Sequence, residues 1–174
     1  AYIGIGSNIG VQINKIDSAI ELIDQDFYCE VNVVSSIYES KPYGNLNQEN
    51  FFNAVFKIKT YYQPAELFEF LKKVEEIVVR KKTVIWGPRE IDLDILFYNN
   101  LIFNDEKLII PHKDILSRDF VLIPLCEIAP DLEHPEMNKK ICEICNAQTE
   151  VDQSSEKVTK KHIVRIIPHK VLIK

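Results

Sequence analysis

Between Phe51 and Thr60 the side chains alternate with a period of two, and from Pro64 onward the period becomes that of a helix. Phe52, Ala54, Phe56 and Ile58 fall on one side of the first run, and Asn53, Lys57 and Lys59 on the other. That spacing predicts a half-buried strand. Pro64 suits a first helical turn, and Leu67, Phe70, Leu71 and Val74 with Ile77 or Val78 then make one apolar stripe. A strand and a helix with one apolar face each must bury those faces against a second layer.

Similar signals continue along the chain. Ala1–Ile5 reads as a strand entering a turn at Gly6-Ser7-Asn8. Ile16, Ile20 and Ile23 mark a helix over 14–26, and Val31–Tyr38 is β-branched enough for one strand. Lys41–Asn50 and Arg80–Arg89 read as loops, Ile91–Tyr98 and Lys107–Ile110 as strands, and Phe120–Ile128 as a helix bent at Pro124. A short helix over Ile141–Ala147, a loop over Val151–Lys160 and a last strand at Ile163–Ile167 complete the reading. The order β-α-β-β-α-β, with helices on one side, predicts a ferredoxin-like α+β fold with a mainly antiparallel sheet.

Composition narrows the function. The chain has 174 residues, 46% hydrophobic and 27% charged, with a formal net charge of -5. That acidity weighs against a duplex-binding role, which draws its affinity from phosphate neutralisation. No apolar run is long enough to span a bilayer, and Ala1–Gly10 does not resemble a signal peptide. A first residue other than Met suggests a processed chain or an excised module. Cys29, Cys126, Cys142 and Cys145 are too few for a disulfide scaffold, and Cys142 and Cys145 form a lone C-x-x-C. Reduced thiols in a cytoplasmic protein are the expectation.

The chemistry concentrates in Trp86-Gly-Pro-Arg-Glu-Ile-Asp-Leu-Asp-Ile-Leu96. On a strand, Asp92 and Asp94 share one face while Ile91, Leu93 and Ile95 share the other. Two such carboxylates repel unless a cation or proton lies between them, and hard oxygen ligands suit Mg²⁺. Arg80, Lys81, Lys82 and Arg89 lie just upstream. A metal-binding pair beside a basic loop is what nucleoside triphosphate chemistry needs. An ordinary solvated strand face, with Arg89 paired to Asp92 or Glu90, is the plain alternative. There is no P-loop, and Gly4-x-Gly-x-x-x-Gly10 is one residue too long for a dinucleotide fingerprint.

These segments resemble the 6-hydroxymethyl-7,8-dihydropterin pyrophosphokinase family over about residues 1–147. The match rests on the Trp86–Leu96 motif. Gly6-Ser7-Asn8, Ser35-Ser36-Ile-Tyr38, Phe51-Phe-Asn53-Ala54, Pro111-His112 and Arg118-Asp-Phe120-Val-Leu-Ile-Pro124-Leu support it. The resemblance implies an α-β-α sandwich and transfer of pyrophosphate from ATP to the pterin's hydroxymethyl group, releasing AMP, in folate biosynthesis. It implies two Mg²⁺ ions on Asp92 and Asp94. It implies ATP contacts from Arg89, His112, Arg118, Trp86, Glu75 and Ile95, with Arg80 and Lys82 catalytic on a closing loop. For the pterin it implies Phe51, Phe120, Asn53, Ser40 and Tyr43.

Residues 148–174 run past the short family members, and are expected to pack on the same domain. A partner or fusion with dihydropteroate synthase is a further implication. Two rivals stay open at this point: another Mg-dependent phosphotransferase using the same Asp-x-Asp, and a ferredoxin-like nucleic-acid-binding module.

Overall fold

The strand expected over 51–60 is the hub of the sheet. The computed structural model describes residues 1–8, 12–42, 49–79, 91–154 and 162–168. In chain order these form β1 (Tyr2–Ser7), α1 (Gln12–Asp24), β2 (Cys29–Val34), β3 (Ile37–Ser40), β4 (Phe51–Thr60), α2 (Pro64–Val78) and β5 (Asp92–Phe97). Then follow β6 (Phe103–Asn104), β7 (Ile109–Ile110), a 3₁₀ turn at Ile115–Ser117 and α3 (Asp119–Ile128). The chain continues with β8 (Glu133–His134), β9 (Lys139–Lys140), α4 (Ile141–Ser154) and β10 (Ile163–Ile167). The main sheet runs β10-β3-β4-β1-β5, with β2 also paired to β4, and every pairing is antiparallel.

Helices cover both faces, not one. On one side Ile16, Ile20 and Ile23 of α1 and Leu67 and Leu71 of α2, all fully buried, pack against Ile3, Phe56 and Ile58. On the other side Leu122 and Leu125 of α3 and Ile141 of α4 close over Val55 and Leu96. This second layer explains a departure from the alternation in β4, where Asn53, Ala54, Val55 and Phe56 are all buried. The fold is therefore the α-β-α sandwich that the family resemblance implies. No helix among the described residues is long and apolar enough to cross a membrane.

Local chemistry sets several boundaries. The α2 start is a capping box: the Gln63 N–H donates to Glu66 Oε2 at 2.9 Å, with Pro64 next. The single strand expected over 31–38 is broken at Ser35-Ser36. Ser35 is fully buried, and its Oγ accepts the Val55 N–H at 3.0 Å in place of a backbone carbonyl. The ladder restarts at Ile37.

Gly6 and Ser7 lie inside β1, so the expected turn there gives way to strand. The strand expected over 107–110 shortens to Ile109–Ile110, because Asp105 Oδ1 holds the Lys107 and Leu108 N–H groups in a tight turn. Helix α4 runs through residue 154, into the loop expected over 151–160.

Glu127, on the last turn of α3, fastens that helix to the broken strand. Its carboxylate accepts from the Ser36 N–H at 3.0 Å, the Ser36 hydroxyl at 2.9 Å and the Tyr38 hydroxyl at 2.9 Å. Burial first, and then this neighbouring carboxylate, push the Tyr38 phenol well above its ordinary value. Replacing Glu127 by Ala should cost about 1–3 kcal/mol of stability, since it orphans the buried Tyr38 hydroxyl. Urea unfolding monitored by circular dichroism checks this, and an unchanged midpoint would count against the clamp.

Candidate active site

Strand register puts the predicted residues on one face. Tyr38 of β3, Asn53 of β4, Gly6 of β1 and Asp92 of β5 stand opposite one another across the sheet. The next row is Val55, Gly4 and Asp94. Directly paired residues share a face, as do residues two apart on a strand. Ser40, Phe51, Asn53, Asp92 and Asp94 therefore all point toward the α3 layer. Ile91, Leu93 and Ile95 point the other way, each 4% exposed or less, into the α1–α2 core.

The two glycines of β1 leave the floor between Asn53 and the carboxylates open. A Cβ on Gly6 would sit 3.0 Å from Asn53 Oδ1, and one on Gly4 3.3 Å from a Leu96 methyl. The Asn53 amide is fixed beneath its neighbours: Nδ2 donates to Ser40 Oγ at 2.8 Å and to the Tyr38 carbonyl at 3.4 Å. Its carbonyl oxygen is thereby aimed over Gly6. Gly6→Ala should displace that amide and weaken binding of any ligand it holds by roughly tenfold, the worth of one disturbed hydrogen bond to a buried polar group. Calorimetric titration with 6-hydroxymethyl-7,8-dihydropterin, the ligand the family resemblance implies, checks it, and wild-type affinity in the variant would contradict the role given to the floor.

The carboxylates are held by an edge strand that α2 pins in place. Glu75 Oε1 accepts the Leu93 N–H at 2.7 Å, and Lys72 Nζ donates to the Leu93 carbonyl at 3.1 Å and to Glu75 at 2.6 Å. These two side chains use the outward backbone groups of β5, as an unprotected sheet edge requires. Lys72 Nζ also lies 3.8 Å from Asp92 Oδ1. On the other side His112 Nε2 lies 4.0 Å from Asp94 Oδ2. The His112 backbone N–H donates to the Leu96 carbonyl at 3.0 Å, which ties the histidine to the end of β5. Its Nδ1 lies 3.3 Å from the Asp114 N–H, which leaves Nε2 facing Asp94.

Burial pushes the Asp94 carboxyl up from its ordinary 3.8, and the negative Asp92 beside it adds to the effect; His112, Lys72 and Arg118 oppose it. Burial likewise raises Glu75. Two neighbouring carboxylates in a partly desolvated site suit a divalent cation. Among the described residues no three metal-ligating side chains gather at one point. The two carboxylates supply the protein's oxygen ligands, and the remaining ligands of a magnesium ion would be water and phosphate.

A raised folded-state pKa means the folded protein binds the Asp94 proton more tightly than the unfolded chain does. This contribution to stability is full below about pH 3.8 and is lost as pH climbs through the raised value. Asp94→Asn should therefore raise metal-free stability at pH 7 and leave it nearly unchanged in acid. Melts at both pH values, with and without Mg²⁺, check this. A variant no more stable than wild type at pH 7 would show that the carboxylates impose no strain.

The other expected residues divide. Arg118 precedes α3 and bonds Asp114 Oδ2 at 2.7 Å, within electrostatic reach of Asp94. Phe120 is half-buried in the first turn of α3. Glu75 is engaged with β5, and the Ile95 side chain is in the core, so that residue can offer a ligand only backbone. Arg80, Lys82, Trp86, Arg89 and Tyr43 lie outside the described residues, as does Lys81. Lys72 was not singled out from sequence. Its spacing to Glu75 is a common helical ion pair, and only the packing of α2 on β5 reveals its place.

All four cysteines are free thiols. The thiols of Cys126 of α3 and Cys145 of α4 are hydrogen-bonded, and burial first, with the neighbouring thiol, pushes Cys126 up to about 11.

Paired carboxylates on a rigid strand, beside cationic side chains and a polar-edged cleft, are the outfit of a metal-assisted phosphoryl-transfer enzyme. Residues 2–130 match the model of the 7,8-dihydro-6-hydroxymethylpterin-pyrophosphokinase family, and the chain belongs to that family. It is 44% identical over 142 residues to the 2-amino-4-hydroxy-6-hydroxymethyldihydropteridine pyrophosphokinase of Aquifex aeolicus, covering 82% of this chain and 88% of that one. It is 42% identical over 135 residues to the enzyme of the same name from Haemophilus influenzae, covering 78% and 84%.

The crystal structure of wild-type Plasmodium falciparum HPPK-DHPS superposes with a TM-score of 0.73 at 17% identity. That match covers 100% of this chain and 49% of that one, so the chain spans about half of this structural relative. The fold agrees with the ferredoxin-like expectation. Membership of the family sets aside the nucleic-acid-binding alternative and the unrelated phosphotransferase.

Proposed function

We propose that the family's reaction, transfer of pyrophosphate from ATP to the hydroxymethyl group of 6-hydroxymethyl-7,8-dihydropterin, runs on the sheet face between Asn53 and Asp94. The observation that carries this placement is the cross-strand row Asn53–Gly6–Asp92. It sets a polar amide and a metal-binding carboxylate on one open floor, two strands apart. A flat, polar-edged ring held at Asn53 extends its hydroxymethyl group over Gly6 toward the carboxylates.

Phe51 and Phe120 supply apolar faces for the ring, and Asn53 reads its edge. Ser40 fixes the Asn53 amide, and Tyr43 adds a contact from its loop. Asp92 and Asp94 would hold two magnesium ions, which when bound would supply charge screening along the triphosphate and ease loss of the hydroxyl proton. His112, through Nε2, and Arg118 donate to phosphate oxygens from one side. Arg80, Lys82 and Arg89 do so from the loop that Trp86 closes. Glu75 reaches nucleotide only indirectly, through β5, and Ile95 through its backbone.

The hydroxyl oxygen attacks the β-phosphorus, the bond to the bridging α–β oxygen breaks, and AMP leaves. We assign Asp94 to take the proton as the oxygen attacks. As for setting, the chain acts in the cytoplasm, beside or fused to dihydropteroate synthase.

Incubation with ATP, Mg²⁺ and hydroxymethyldihydropterin should yield AMP and the pterin pyrophosphate. Asp94→Ala should slow turnover by on the order of 10³-fold or more. Phe120→Ala should weaken the pterin by roughly 1–3 kcal/mol. Near-normal turnover in the first variant would remove the metal assignment, and unchanged pterin affinity in the second would remove the ring sandwich.

A further inference from the structure

We propose that the C-terminal strand is part of the pterin site, with His162 as a positioning residue for Phe120. This rests on the assignment of Phe120 to the pterin made above. Strand β10 lies beyond residues 2–130, the stretch that defines the family. It is nevertheless bonded to both walls of the proposed pocket. Along the sheet it pairs with β3, Ile163 opposite Ser40, and the Lys41 N–H donates to the His162 carbonyl at 2.9 Å. Across to α3, the Asp119 carboxylate joins the two elements. Its Oδ2 accepts the His162 N–H at 2.7 Å. Its Oδ1 lies 3.0 Å from His162 Nδ1 and also accepts the Phe120 N–H at 2.9 Å.

One carboxylate thus binds the backbone that starts α3 and the residue just before β10. The rings follow the same geometry. His162 meets Phe120 edge to face, centroids 6.0 Å apart at 86°. Such a contact restricts the phenyl ring to one orientation. A second link supports the far wall. Arg165 Nε donates to Glu39 Oε2 at 3.0 Å, and Asn50 Nδ2 donates to Glu39 Oε1 at 2.9 Å, next to Phe51. The strand therefore orders the approaches to Phe51, Ser40 and Phe120 together. A strand that merely shielded the edge of β3 would need the ladder hydrogen bonds alone.

The test uses the full chain and three variants, Phe120→Ala, His162→Ala and His162→Asn. Steady-state KM is measured for pterin and for ATP, and thermal melts verify folding. His162→Ala should raise the pterin KM about fivefold, the worth of one edge-to-face contact and a hydrogen bond. The ATP KM should stay within about twofold of wild type, because the carboxylate pair is on the opposite edge strand. His162→Asn, which keeps a donor toward Asp119, should recover part of the loss.

Two results would overturn the inference. If Phe120→Ala raises the pterin KM while both His162 variants keep it, the strand is structural only. If Phe120→Ala itself leaves the pterin KM unchanged, the assignment of Phe120 to the pterin fails and takes the role of His162 with it.

Discussion

Two like charges on one strand cannot stand side by side without something to answer them, and the site is organised around that repulsion. Asp92 and Asp94 are locked together because the other face of β5 is buried in the α1–α2 core. The side chains of α2 then fix the free edge of the strand through both backbone groups of Leu93. Lys72 and His112 stand near the two acids at 3.8 and 4.0 Å. Burial first, and then the Asp92 charge, outweigh these cations and keep the Asp94 carboxyl raised. The protein keeps this charge pattern where burial makes it costly, which is common where strain serves a ligand.

The sheet converts that electrostatic site into one that can also select a substrate. An antiparallel pairing of β4, β1 and β5 brings an amide and two acids to one face, and β1 contributes only glycine between them. The second helical layer makes the cleft by covering the rest of this face. Glu127 and Asp119, at opposite ends of α3, then fix how that helix lies on the broken strand and on β10. The strand break at Ser35-Ser36 is part of the same design, since it presents the groups that Glu127 binds.

Much of this was legible in the residues. Period-two alternation located β4 to the residue, the Pro64 signal located α2, and Ile16, Ile20 and Ile23 marked the buried face of α1. The opposed faces of β5 followed from its alternation alone. What could not be read depends on contacts distant in sequence. Ser35 ends a strand only because its hydroxyl replaces a carbonyl opposite Val55, and β-branched composition does not encode that. Gly6 looked like the start of a turn, and only the register with Asn53 and Asp94 shows why a side chain is excluded there and at Gly4. Lys72 and His162 reach the site from a helix and a strand whose local patterns are ordinary. The named family roles came from resemblance, and geometry explains why residues such as Asn53 and Phe120 suit them.

The central claim is that the two acids of β5 share divalent metal over a triphosphate. Crystals grown with Mn²⁺ and a nonhydrolysable ATP analogue would test it directly through anomalous scattering. The account predicts metal peaks within coordination distance of both Asp92 and Asp94, bridging to phosphate oxygens. A bound nucleotide with no anomalous peak at either carboxylate would contradict it.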